Sequence, residues 1–368
     1  MKIAMVGDVM LGRLVNETLQ HTKKEYPWGD TLKVLNKADV RLCNLECAIS
    51  DRGEPWSFTT KEFHFRTDSK NVSVLRAGGI NLVSLANNHA LDFGYAALSD
   101  TLEILDEAGI AHAGAGRNLQ EAESTATMNV HGSSIGVLAF TDNEPEWEAT
   151  KERPGVFYVP TDLKDSRAIH LLEHIKRASK KVDLLIVSAH WGPNWGYDPP
   201  MEHIPFAHAL IDAGAGIVFG HSSHVVRGIE TYHDAVIIYS AGNFIDDYAV
   251  DAVERNDRSC IFMAETSDGR ILRLGLYPTI IDTFQARLAG PKESEAIAKT
   301  MKKLCEEFNT MIQWRTSEPV PSLVWSRKQG PRESAKSRSP VEKSAARRLQ
   351  LSKRRERNGS SHLRRRSG

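Results

Sequence analysis

Cysteine is scarce. The four present, Cys43, Cys47, Cys260 and Cys305, are too few for a disulfide framework in a chain of 368 residues. Thiols of this kind are usually core side chains, and a reduced compartment, the cytoplasm, is expected. Long apolar runs are also missing. No stretch approaches the roughly 18 apolar residues that a membrane-spanning helix needs. No basic segment with an apolar stretch precedes Lys2-Ile3-Ala4-Met5-Val6, which reads directly as a strand, so no secretory signal is expected. Net charge is absent only on average. Residues 327–368 hold 15 Lys/Arg against 3 Asp/Glu, and the remainder holds 32 against 44. An acidic body with a basic, Ser-rich, almost apolar-free tail reads as a folded domain with a disordered appendage. That distribution argues against a nucleic-acid enzyme.

What is present is a soluble α/β pattern. Short apolar runs recur at Ile3–Val6, Val40–Leu45, Leu82–Ala86, Ile135–Phe140, Leu184–Ala189, Ile217–Phe219 and Val236–Tyr239. Continuous runs of this length suit strands covered on both faces. Helical patterns lie between them. Tyr95–Ala108 places Leu98, Leu102 and Leu105 on one face and meets a stop at Gly109; Leu163–Ser179 and His203–Ala213 are further candidates. Cys260–Glu265 and Ile271–Tyr277 flank Asp268-Gly269 and read as a hairpin at a sheet edge, and Glu293–Trp314 reads as a final amphipathic helix.

Polar residues suited to metal binding follow the strands directly. They are Asp8 in Gly7-Asp8, Glu46 in Asn44-Leu45-Glu46, Asn88 in Asn87-Asn88-His89, His190 before Trp191-Gly192, and His221 and His224 in Gly220-His221-Ser222-Ser223-His224. Ligands gather outside the carboxyl ends of strands in open α/β sheets, so distant segments can converge there. Carboxylate, amide oxygen and imidazole together suit divalent ions such as Zn²⁺, Mn²⁺ or Fe²⁺. Each residue has a plainer reading. Asp8 could cap the turn at Met10–Leu14, Glu46 could pair with Arg13 or Arg66, and His190 could pack beside Trp191. The joint pattern favours one or two divalent ions.

The same segments, together with Gly7–Arg13, Ser84–Gly94 and Tyr239–Phe244, resemble the successive signatures of the CapA family. These are poly-γ-glutamate capsule biosynthesis proteins of the calcineurin-like metallophosphatase superfamily. The resemblance spans residues 1 to about 285 in the family's order. It implies a four-layer α/β/β/α sandwich over 1–285; the residue pattern beyond it reads as a C-terminal helical extension over 286–326 and the disordered basic tail over 327–368. It also implies a two-metal centre, with Asp8, Glu46, Asn88, His190, His221 and His224 as ligands and Glu46 where the superfamily has a bridging Asp. His89 matches the non-ligand histidine that protonates a leaving group, and Asp92 the carboxylate that orients it. The chain departs from the superfamily at Met10, where a second ligand His is usual.

The activity this implies is metal-assisted hydrolysis of a phosphoester or related polar substrate, anionic or peptide-like, with Arg13 and Arg66 available to bind its charge. Two alternatives stay open: metal-dependent epimerisation at a peptide Cα, and a non-catalytic poly-γ-glutamate binding role among polymer-biosynthesis partners.

Overall fold

The computed structural model of the protein describes residues 1–315 and 322–325. The basic tail expected over 327–368 lies outside the described residues. Two sheets carry the fold. The larger runs in the order Ile312–Arg315, Ser322–Trp325, Arg270–Asp282, Arg258–Ser267, Lys2–Val9, Val40–Leu45, Leu82–Ser84 and Ala111–Ala113. Asn243–Ile245 adds to Lys2–Val9, and Gln285–Leu288 to Arg270–Asp282. The smaller runs Ile229–Tyr232, Ala235–Ile238, Ile217–His221, Leu184–His190, Ser133–Thr141 and Ala126–Val130.

Side-chain alternation along the central strands sorts the core into three layers. Ala4 and Val6 face the outer helices of the large sheet, whereas Ile3 and Met5 face the small sheet. In the small sheet, Leu184 and Ile186 point to the shared interior, and Val187 and Ala189 to the opposite outside. Helix Gly94–Ala108 covers the large sheet with Leu98, Leu102 and Leu105. Helices Ser166–Ala178 and His203–Asp212 cover the small one with Leu171, Ile175, Phe206 and Leu210. The result is the expected α/β/β/α sandwich. Burying each such side chain contributes about 1.5–3 kcal/mol.

Two details differ from expectation. The pattern Glu293–Trp314 is helical only as Pro291–Glu306, because Asn309 adopts a left-handed conformation and the chain turns into the strand Ile312–Arg315. That strand and Ser322–Trp325 extend the large sheet, so the hairpin of Arg258–Ser267 and Arg270–Asp282 is interior rather than at the edge. Its turn has Asp268 and Gly269 both at positive φ, as a two-residue hairpin loop requires.

Among the described residues, no helix is long and apolar enough to cross a membrane. All four cysteines are free and buried, and burial raises the thiol of Cys47 to about 12, so it is held protonated.

Candidate metal centre

The first strand delivers Asp8 through a local irregularity. Its register against Val40–Leu45 shifts between Val6 and Asp8, at Gly7. A Cβ on Gly7 would fall on the carbonyl oxygen of Gly242, which accepts from the Asp8 amide at 3.0 Å. Asp8 therefore lies at the seam between strands Lys2–Val9 and Asn243–Ile245, fully buried. In the small sheet, His190 and His221 are direct partners at the ends of two parallel strands. The following loop places Ser222 and His224 at positive φ, an unfavourable conformation for both. It is held by hydrogen bonds from Ser222 Oγ to the Gly192 carbonyl and from Ser223 Oγ to the Val225 carbonyl, both 3.0 Å.

Donors from both sheets meet here. Asp8, His190 and His221 each offer an atom within 4.8 Å of the others, and so do Asp8, Glu46 and His224. Asp8 is common to both groups. The groups touch again where His190 Nε2 lies 3.9 Å from Glu46 Oε1. Neither plainer reading of the carboxylates holds. The helix Arg13–Leu19 is capped by Gly12, without a side-chain bond. Arg13 pairs with Asp247 at 3.2 Å, and Arg66 donates to the carbonyls of Arg52 and Gly53.

The side chains fit a divalent cation on three grounds. Glu46 Oε1 and Asn88 Oδ1 are buried oxygens without a hydrogen-bond partner, and Asp8 Oδ2 has only His224 Nδ1 at 3.5 Å, a costly arrangement unless a cation satisfies them. Burial, reinforced by Asp8, holds the Glu46 carboxyl well above the usual range, which a nearby cation would reverse. Burial also holds His190 well below the ordinary imidazole value and His221 at about 3, so both are neutral, the form that ligates metal. His224 behaves differently. Burial opposes its charge, but Asp8 and Glu46 outweigh burial and raise it to about 9. Outer partners fix the rings, as metal-binding histidines require: Ser188 Oγ at 2.8 Å from His221 Nε2, and Asn243 Oδ1 at 3.0 Å from His224 Nδ1.

A cleft of about 490 Å³ opens over this cluster, with Asn88, His89, His224, Arg13 and Tyr248 in its lining. His89 Nδ1 lies 2.6 Å from Asp92 Oδ2, and the ring stacks on Phe65 with centroids 4.1 Å apart. Burial pushes His89 well down, which keeps its imidazole neutral, and pushes Asp92 up to about 7 against the opposing pull of Lys61. Arg66 does not reach this lining. Its guanidinium sits 4.3 Å over the Phe93 ring.

Residues 2–248 match the family described as "Bacterial capsule synthesis protein PGA_cap". The chain belongs to the bacterial capsule synthesis protein family. It is 32% identical over 356 residues to a "Probable polyglutamine synthesis accessory protein" of Mycobacterium tuberculosis, covering 85% of this chain and 93% of that one. It is 32% identical over 252 residues to "Capsule biosynthesis protein CapA" of Bacillus anthracis, covering 67% and 59%. Against "PGA biosynthesis protein CapA" of Bacillus subtilis the figures are 30% over 318 residues, 86% and 80%.

In this capsule synthesis family member, part of the site has no strand-end signature. Lys61 is the clearest case. Its ammonium donates to the Asn88 carbonyl at 2.6 Å, lies 3.3 Å from Glu144 and 3.4 Å from Asp92, and sits 4.9 Å over the Trp147 ring. With Glu62 beside it, it reads in the sequence as surface charge. Tyr248 also lines the cleft, where its hydroxyl is 3.4 Å from Glu46 Oε2. Asn44, within the Asn44-Leu45-Glu46 motif, donates its amide to Asp8 Oδ1 at 2.8 Å. Of the aromatic residues after His190, Trp195 lines the cleft, whereas Trp191 is buried against His203.

Proposed function

We propose that this protein is a metal-dependent hydrolase of a phosphoester or related anionic polar substrate, working within a polymer-biosynthesis pathway. The observation that carries this reading is the pair of donor groups sharing Asp8 beneath a cleft that His89 also lines. Asp8, Glu46, Asn88, His190, His221 and His224 would hold one or two divalent ions, Mn²⁺, Zn²⁺ or Fe²⁺. Such an ion supplies Lewis-acid polarisation and a water acidified toward neutrality.

The chain's own groups do the rest. Arg13 lines the cleft with its side chain partly exposed and its Nε on Asp247, so the rest of the fork can receive an anionic group. His89 has Nδ1 occupied by Asp92, which leaves Nε2 to exchange a proton with the leaving group. Burial and the Lys61 ammonium keep that imidazole neutral; an arriving anion raises its proton affinity and prepares it to act as the acid. Phe65 and Asp92 hold the ring in place, so little reorganisation accompanies the transfer.

A second reading, poly-γ-glutamate binding without turnover, is favoured by the names of the relatives, which speak of polyglutamine synthesis and capsule biosynthesis. One experiment separates the two. Purified protein reloaded with Mn²⁺ or Zn²⁺ is assayed on a broad phosphoester panel, and its retention on immobilised poly-γ-glutamate is measured alongside. Turnover that is lost in His89→Ala supports the hydrolase. Retention with no turnover on any substrate overturns it. Solvent deuterium entering a peptide Cα would instead indicate epimerisation.

A further inference from the structure

A second group of metal-type donors lies outside the central site. Helix Ser166–Ala178 carries His170 and His174 one turn apart, on the same helical face, with ring centroids 6.4 Å from each other. Glu123, at the end of the short helix Leu119–Ala122, faces them. One donor atom from each of Glu123, His170 and His174 lies within 4.8 Å of the other two. His170 Nε2 is already 2.7 Å from Glu123 Oε2.

We propose that Glu123, His170 and His174 form a peripheral binding site for a borderline divalent cation, Zn²⁺ foremost. An ion pair between His170 and Glu123 accounts for two of the three side chains. It does not account for His174, whose Nδ1 is buried without a hydrogen-bond partner and whose Nε2 has only the Thr125 hydroxyl, at 3.4 Å. Whichever nitrogen carries the hydrogen, the other keeps a lone pair available.

Two imidazoles and one carboxylate are a common three-residue donor set for Zn²⁺, with water completing the tetrahedron. The site is open enough for that. Glu123 and His174 are partly buried and His170 is exposed. Bringing the three donors to about 2.0–2.2 Å from one ion needs only side-chain adjustment at the surface. Bound there, the ion would fasten the helix on the outer face of the small sheet to the turn ahead of strand Ala126–Val130. None of the residues of the central site takes part.

The test reads each histidine separately. The full-length protein is treated with diethyl pyrocarbonate with and without added Zn²⁺, and modification is followed by peptide mass spectrometry. We expect Zn²⁺ to slow modification of His170 and His174 by about tenfold or more, with the exposed His131 and His233 unaffected. In His170→Ala, a surface change that leaves the core intact, protection of His174 disappears. Equal rates with and without Zn²⁺ at both residues would overturn the proposal. So would protection of His174 that persists undiminished in His170→Ala.

Discussion

His190 and His221 bring their Nδ1 atoms to 2.8 Å from each other. Their strands run in parallel and pair these two residues directly, so the approach is built into the sheet. Two imidazole lone pairs repel at that distance unless a hydrogen or a cation lies between them. Because burial disfavours the charged form of both rings, a shared divalent ion suits the pair well.

Removing one ring therefore tests the ligand assignment. His221→Ala should weaken metal binding by more than the roughly 10–100-fold typical of outer-shell changes. Metal quantification and titration calorimetry on the purified variant read this directly. Unchanged metal content and affinity would remove His221 from the ligand set.

His89→Ala should separate chemistry from metal binding. Loss of a positioned proton donor lowers turnover by about 10²–10⁴-fold. Metal content should stay at the wild-type level, since His89 belongs to neither donor group. Asp92→Asn should reproduce part of the loss through misorientation of the ring. A variant whose kcat matches the wild type would rule out His89 as the proton donor.

The two arginines singled out in the sequence should now behave differently. Arg13→Ala removes a cleft cation and should raise KM by about 10–100-fold, as loss of a charged hydrogen bond does. Arg66→Ala instead removes hydrogen bonds to the carbonyls of Arg52 and Gly53 and the contact with Phe93. It should cost about 1 kcal/mol of stability and leave KM unchanged. Steady-state kinetics with denaturant titration of both variants checks the contrast, and equal KM effects would contradict it.

Gly7→Ala should disturb the site through the backbone that carries Asp8. The added methyl meets the Gly242 carbonyl, and the strands must separate to admit it. A destabilisation of about 1–3 kcal/mol or more is expected, with weaker metal binding through displacement of Asp8. Urea unfolding curves and metal titration measure both effects, and wild-type values in each would show that the seam has slack.

Much of this was legible in the sequence where both faces of a strand are covered. Runs such as Ile3–Val6 and Ile217–Phe219 announce themselves because no polar residue interrupts them before the functional end at Asp8 and His221. Asp8, Glu46, His190 and His221 were legible as the first polar groups after their runs, and Asn88 and His224 by their place in the same motifs. Lys61 was not legible, since its burial depends on Asp92, Glu144 and Trp147 arriving from elsewhere. The strand Ile312–Arg315 was hidden because its apolar residues continue the helical rhythm, and only the turn at Asn309 separates them. Arg13 and Arg66 looked equivalent until the backbone carbonyls claimed one of them.

Asp8 lies near the end of one strand of the large sheet and Glu46 follows its neighbour, whereas His190 and His221 end strands of the small sheet. On the proposed reading, ion affinity would be a gauge of how the two halves of the sandwich are stacked. Any change that slides one half against the other, even deep in the apolar layer between them, should be felt first as a loosened ion and only later as unfolding.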